Sequence, residues 1–417
     1  MKVIFLKYYD RLFLYLVCAL ASFPILPRGI QTVIVISIAT IAFIQFMIVG
    51  KKTWNQNKTI LLLSMSSLCI IYLFSLIRVE DFKLASKFIV RSLPLFLLSF
   101  AFLNYGKFSL GNLKLIFKLF ITTLVLLLSF LHIYFIEDII NPECTPWMIR
   151  NEIELFTKIH GTYLSMWTGM GVLLLIWYFA KSKKRVLTSL IITIVLIYFL
   201  YWQFLLGARM PFFATIIAVF YGITLLLRIP LKIVLGFAFI GSIFFTFLMK
   251  DKIQAKVQEL QNYENAIPEG KYEITNILIS NENVRSVIYH CALQNIKERP
   301  ILGYGIGQDN IELQKCYDSE FSHTDLFKVF SFNSHSQYLQ LLLSAGLIGL
   351  VLFLISIGIW ITISSESSEL YLPFLILALL CFMFENILNR HDGIIFFSFF
   401  NSILVLSGLK PNVHTNK

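Results

Sequence analysis

VLTSLIITIVLIYFLYWQFLLGARMPFFATIIAVFYGITLLLR, residues 186–228, decides the fold. Between Arg185 and Arg228 the only charged residue is Arg209. A helix needs about 20 apolar residues to cross the hydrocarbon core of a bilayer. The stretch therefore holds two spans, 186–208 and 210–228, joined almost without a loop by Gly207-Ala208-Arg209-Met210-Pro211.

Working outward, the same pattern recurs along the chain. Further apolar runs fall near 12–27, 30–49, 59–77, 88–103, 115–136, 161–180, 231–249, 336–363, 370–388 and 393–409. The fold class expected is an all-α polytopic integral membrane protein with about 12 transmembrane helices. Composition agrees: of 417 residues 57% are apolar and 14% charged, with 40 Phe and a mean hydropathy of +0.76. Soluble chains carry about 25% charge, and this much Phe would leave sticky patches on a water-soluble protein. A cytosolic enzyme, a secreted disulfide scaffold and a disordered chain are excluded. The lipid bilayer is thus the first partner.

Net charge is +11. In a membrane protein a basic excess speaks first of orientation, because Lys and Arg stay on the cytoplasmic side. Lys51, Lys52 and Lys58 follow the second run, Lys181, Lys183, Lys184 and Arg185 the sixth, Arg228 and Lys232 the eighth, and Lys410 and Lys417 the last. With Lys2, Lys7 and Arg11 they place both termini inside. The acidic stretch Ser364–Glu369 falls on the same side and fits least well. Ala19-Leu20-Ala21 has the look of a signal-peptidase site, but apolar residues continue beyond it, so the first span is expected to stay. No basic helix interleaved with aromatics is present, so no nucleic-acid partner is expected.

The chain divides into helices one to nine (1–250), a large external loop (251–334) and helices ten to twelve (335–417). The loop is net −4, partly helical, and the natural place for chemistry. Glu137–His160 forms a second external segment. Cys144, Cys291 and Cys316 lie outside, where disulfides persist. Three pairings are open, of which Cys144–Cys316 would tie the two external segments together. No Walker A, Cys-x-x-Cys or His-Glu-x-x-His motif occurs, and no carboxylate cluster points to a metal. Neither metal nor cofactor is expected. Gly303-Tyr304-Gly305-Ile306-Gly307 reads as a tight turn, since a dinucleotide fingerprint needs a preceding strand and another spacing.

Several groups gather on the outer side. Asn333-Ser334-His335-Ser336-Gln337 opens the tenth span, and Ser334 with Gln337 has capping-box spacing. That would set His335 in the first helical turn, where the dipole favours neutral imidazole, a plausible general base. Asn283–Arg299 has helical periodicity and ends at Pro300, with Arg285 in its first turn. Arg209 is a lone interfacial cation whose planar fork suits a diphosphate; the alternative is a snorkelling Arg. His160-Gly161-Thr162-Tyr163 opens the sixth span. Glu385, Asn386, Asn389 and Arg390 end the eleventh, with Glu385 and Asn389 expected on one helical face. Arg91 stands near the start of the fourth. The convergence points to a site for an anionic lipid headgroup.

His335-Ser336-Gln337-Tyr338-Leu339 running on to Gly346-Leu347-Ile348-Gly349-Leu350 resembles the His-[Asn/Ser]-x-x-Leu…Gly-x-x-Gly-Leu signature of the O-antigen ligase/polymerase family. The approach through Arg285, Pro300 and the glycines is similar too. His160-Gly161-Thr162-Tyr163 resembles a His-Pro-Thr-Tyr element of one branch, with Gly for Pro. Glu385-Asn386…Arg390…Gly393 resembles that branch's late motif. The resemblance implies metal-independent glycosyl transfer at the bacterial cytoplasmic (inner) membrane, on its periplasmic side. The donor would be a glycan on undecaprenyl diphosphate, and the acceptor lipid A–core or a growing glycan. It implies His335 as base on the acceptor hydroxyl, Arg209 and Arg285 on the diphosphate, and His160, Tyr163, Glu385, Arg390 and Arg91 as accessory residues.

Ligation of O-antigen to lipid A–core is the function expected, because one external loop dominates. The alternative is a repeat-unit polymerase with the same donor chemistry. A polytopic transporter or lipid flippase is the third reading. It would require broken helices at the midplane, and Gly and Pro give no paired signal for them.

Overall fold

The computed structural model describes residues 2–49, 54–106, 108–181, 186–230, 233, 272–273, 281–322, 327–328, 332–364 and 369–406. The ninth expected span, 231–249, much of the 251–334 loop, and Lys51, Lys52, Lys183, Lys184, Arg185, Lys232, Lys410 and Lys417 lie outside these residues.

Among the described residues the regular structure is helical apart from a two-residue parallel ladder between Tyr272–Glu273 and Phe321–Ser322. The helices are α1 (Lys2–Ala21), α2 (Arg28–Ile48), α3 (Gln56–Met65), α4 (Ser67–Ser75), α5 (Phe82–Tyr105), α6 (Leu110–Tyr134), α7 (Ile136–Ile140), α8 (Pro146–Thr157), α9 (Gly161–Lys181), α10 (Val186–Leu205), α11 (Arg209–Leu226), α12 (Asn281–Glu298), α13 (Gln308–Glu320), α14 (Gln337–Ser364), α15 (Tyr371–Phe382) and α16 (His391–Leu406). Among the described residues seven helices are long and apolar enough to cross a membrane, or eight if the bent pair α3–α4 counts as one. The chain is therefore a multi-pass, all-helical membrane protein. Caps fix several starts: Asn55, Asp81, Ser109 and Thr145 each accept a backbone N–H three residues on, and Pro146 follows Thr145.

The core lies around α9 and α16. The apolar window of α9 is 83% buried against 17% for α10, so α9 is central and α10 faces lipid. Small residues allow this, as they do at membrane helix contacts generally. A Cβ on Gly169 would fall 2.3 Å from Thr215 Oγ1, and one on Gly171 2.4 Å from Phe199 Cε2. Phe23 packs edge-on to Trp167, Phe396 and Phe399, seating the α1–α2 turn in the same core. At the end of the bundle away from His160, Lys181 pairs with Glu369 at 2.7 Å, so part of the ill-fitting acidic stretch has a cation beside it.

Two spans are broken, contrary to the expectation of unbroken helices. The third run is two helices, α3 and α4, bent by 61°. The tenth, α14, breaks at Gly346, whose φ is +65°. The gap is filled by the glycine-rich turn. Tyr304 N–H donates to Leu343 O (2.7 Å) and Gly305 N–H to Ser344 O (2.9 Å). Leu347 N–H donates to Pro300 O (2.8 Å) and Ile348 N–H to Ile301 O (3.3 Å). Groups freed by a helix break inside a membrane protein must find such partners. The approach needs glycine on both sides: a Cβ on Gly346 would lie 2.2 Å from Ile301 O, and one on Gly303 2.5 Å from Leu343 O.

Helices α12 and α13 form a small cap on α14. Val284, Ile288, Leu313, Tyr317 and Phe327 make its core with Leu343. Cys291 and Cys316 are joined within it, Cα to Cα 5.7 Å, while Cys144 is free and packs on the main core. The pairing that would tie the external segments, Cys144–Cys316, is therefore corrected: the bridge staples two neighbouring helices. Because α12 begins at Asn281, Arg285 stands past the first turn rather than in it.

Candidate active site

His335 is held outside α14, not inside its first turn. The cap is Ser336, whose Oγ accepts from Leu339 N–H (3.5 Å) and whose carbonyl accepts from Gln340 N–H (2.9 Å). The expected Ser334–Gln337 capping box is thus shifted by two residues. His335 takes a left-handed φ of +44°, a conformation that costs a non-glycine residue of order 1–3 kcal/mol. Its N–H donates to Asn333 Oδ1 (3.0 Å), and Phe332 flanks the ring at 6.0 Å.

The imidazole meets a carboxylate. His335 Nδ1 lies 3.3 Å from Glu385 Oε2, with the two side chains 18% and 3% exposed. The histidine thus keeps an open edge and the glutamate does not. Helix α15 ends at Phe382, so Glu385 and Asn389 sit in a tight turn and not on one helical face. Burial alone would raise the Glu385 carboxyl. The hydrogen bond and charge of His335, with His160 and Arg390 nearby, outweigh it and hold the group ionised, at about 2. Arg390 is exposed and acts through its field.

A buried polar network fixes this turn. Gln337 Oε1 accepts from Leu388 N–H (2.8 Å), and Tyr72 Oη donates to Asn389 Oδ1 (2.7 Å). Asn386 Nδ2 donates to Gln340 Oε1 (2.8 Å), and Gln340 Nε2 donates to Asp309 Oδ2. Each such bond contributes about 1 kcal/mol net, but an orphaned buried partner costs about 1–3 kcal/mol. Tyr72, Asp309 and Gln340 were not legible as site residues in the sequence. They are isolated polar residues whose partners lie 31 to 317 positions away.

The sixth-span motif joins the same turn. Tyr163 is buried and its hydroxyl donates to Asn386 O at 3.5 Å. Gly393 makes room, since a Cβ there would lie 2.0 Å from Ile387 O and 2.8 Å from Tyr163 Cε1. Gly161 also has a physical reason. Its N–H donates to Glu154 Oε1 (2.7 Å), which proline could not do, and a Cβ would fall 2.5 Å from Arg150 Cδ. His160 Nε2 stands 3.8 Å from Glu154 Oε2, and burial pushes the ring below its usual range.

The remaining candidates lie on other helices. Arg209 is exposed at the first position of α11, Arg285 is half-buried on α12, and Arg91 is exposed on α5 over the Phe88 ring. The sequence reading missed Arg28, which grips Asp392 with two nitrogens at 3.0 and 2.7 Å. Among the described residues no group of three or more His, Cys, Asp or Glu converges as metal ligands.

Residues 194–354 match the family model described as O-antigen ligase. Over that stretch the chain is similar to O-antigen ligases. The matched stretch runs from α10 through the break in α14, so it holds Arg209, Arg285 and His335. Glu385 and His160 lie outside it. No curated protein matches the chain. The match supports a membrane enzyme of the O-antigen ligase/polymerase type.

Proposed function

We propose that this protein moves a glycan from undecaprenyl diphosphate to an acceptor hydroxyl, the acceptor being lipid A–core, at the outer face of the bacterial cytoplasmic membrane. The observation that carries the reading is His335: a partly open imidazole in a strained turn, backed by a buried, ionised carboxylate, within the segment matched to O-antigen ligase.

The chemistry follows from the groups. His335 Nε2 takes the proton of the acceptor hydroxyl as its oxygen attacks the anomeric carbon. Glu385 accepts from Nδ1–H, fixes the tautomer that leaves Nε2 free, and stabilises the imidazolium that forms. The bond from the anomeric carbon to the diphosphate oxygen breaks. The departing lipid diphosphate needs charge stabilisation rather than a proton, a role suited to Arg209 and Arg285. Metal is not required by these steps.

The break in α14 gives the transporter reading its strongest support, because discontinuous helices line transporter sites. Here four groups at the break, Leu343 O, Ser344 O, Leu347 N–H and Ile348 N–H, are bonded to residues 300–305 and so are taken up within the protein. A polymerase would use the same base and the same arginines, with a growing glycan in place of lipid A–core. Purified protein, lipid-linked donor and each acceptor in turn test the reading. Product on lipid A–core alone is expected. Product on the growing glycan alone would make it a polymerase, and no product with either acceptor would overturn glycosyl transfer.

A further inference from the structure

Asp309 is fully buried, yet among the described residues no cation pairs with it. Its oxygens accept from Gly307 N–H (2.8 Å) and from the Gln340 amide. Burial pushes this carboxyl up to about 6 against the accepted bonds that hold it down, so above neutrality it is a carboxylate. A carboxylate only accepts. Gln340 must therefore turn its NH2 toward Asp309, which leaves Oε1 facing the other way. Oε1 accepts from Asn386 Nδ2 at 2.8 Å and meets Ser334 Oγ at 3.4 Å. Asn386 is oriented by that bond to Oε1, and both its Nδ2 (3.2 Å) and its Oδ1 (3.3 Å) lie beside Ser334 Oγ. Ser334 Oγ also reaches Ser336 O at 3.1 Å, so the chain of bonds ends by bridging the two neighbours of His335.

We infer that Asp309 is a positioning residue for His335, setting which way round the Gln340 and Asn386 amides lie and thereby holding the left-handed turn that aims the imidazole. The inference rests on the reading of His335 as base. It explains why the position carries an acid: asparagine has the same shape but presents a donor as well, and would let Gln340 turn over.

The directionality makes a swap possible. With Asp309→Asn and Gln340→Glu combined, the amide now at position 309 would accept from Gly307 and donate to the carboxylate now at position 340. The second oxygen of that carboxylate would still accept from Asn386. Net charge and atom positions are kept. Four full-length proteins are compared in lipid nanodiscs at pH 8: wild type, D309N, Q340E and D309N/Q340E. Two rates are read, glycan transfer and modification of His335 by diethyl pyrocarbonate, followed by mass spectrometry. D309N is expected to lower kcat about 10- to 100-fold, as small misplacements of a reacting group do, with donor KM unchanged and His335 modified at an altered rate. Q340E, which sets two carboxylates together, is expected to be worse. The double variant is expected to exceed both singles in transfer and to return His335 modification to the wild-type rate. A double variant no better than the singles, or wild-type behaviour of D309N in both measurements, overturns the inference. Should wild type form no transfer product, the parent reading fails, and the His335 modification rates alone still decide the relay.

Discussion

Among the described residues three histidines stand beside glutamates, His335, His160 and His290, and the first two, near the same turn, are built differently. His335 lies 3.3 Å from Glu385, which is 3% exposed, while His160 lies 3.8 Å from Glu154, which is 22% exposed. Glu154 divides its attention: Oε1 accepts the Gly161 N–H, and Arg150 Nε sits 3.4 Å away. Glu385 likewise accepts a backbone N–H, from Asn386 to Oε1 at 3.3 Å, but its Oε2 is left to His335 and among the described residues no arginine is in ion-pair contact with it. His335 pays for its place with a left-handed φ, whereas His160 leads smoothly into α9, its carbonyl accepting from Leu164 N–H at 3.3 Å. Strain and the deeper burial of its carboxylate are the grounds on which we propose the first as the reacting pair. On the same proposal the second is a joint between α8 and α9.

The sharpest way to break that comparison is His335→Ala. A general base contributes typically about 10²–10⁴-fold, and transfer by purified protein should fall by that range. The variant should stay folded, because the cap of α14 is Ser336 and remains. Near-normal turnover would end the base role. Glu385→Gln keeps the shape but can donate as well as accept, so the imidazole tautomer is no longer fixed. A loss of about 10- to 100-fold in kcat is expected. Glu154→Gln serves as its partner measurement and should leave kcat nearly unchanged. Equal losses in the two would erase the distinction drawn between the histidines.

Arg209→Lys asks about the donor rather than the base. Lysine keeps the charge but loses the planar fork that grips a diphosphate with two parallel bonds. Loss of one charge-assisted bond corresponds to about tenfold. It should show in the KM for lipid-linked donor, with kcat on bound donor little altered. Wild-type donor use by the Lys variant would leave Arg209 as an interfacial anchor only.

How much of this was legible follows from where the information sits. The span 186–208, with its neighbour 210–228, could be read because a bilayer demands long apolar runs, and α10 and α11 fill them. His335 could be read as a candidate from the helix start it was expected to open, and Glu385 because an ionisable group at membrane depth is costly. Their pairing could not, since 50 residues separate them and α15, ending at Phe382 and not at 388, left Glu385 off its expected helix. The break at Gly346 was hidden because a glycine in an apolar run is tolerated in a membrane helix. Only the insertion of residues 300–305 shows that it is required. The Cys291–Cys316 bridge needed the packing of α12 on α13, which spacing does not supply.

The smallest effect expected belongs to His160→Gln. If His160 is a joint and not a reacting group, transfer at pH 8 should change by less than about threefold, the scale of substitutions that spare packing and charge. Its signature should appear in stability instead. Burial holds the His160 ring below its unfolded value near 6.5, with the carboxylates of Glu385 and Glu154 opposing and Arg390 and Arg150 assisting. The unfolded chain then binds a proton that the folded chain resists, so stability rises with pH through this group. Its contribution is present above about 6.5 and is lost as pH falls below that. Thermal melting of the wild type should therefore decline from pH 7 toward pH 5, and the Gln variant, having nothing to protonate, should decline less. A Gln variant with the same acid limb would show that His160 is not buried in its neutral form. A large loss of transfer at pH 8 with an unchanged Tm would promote it to the reacting group and collapse the contrast with His335.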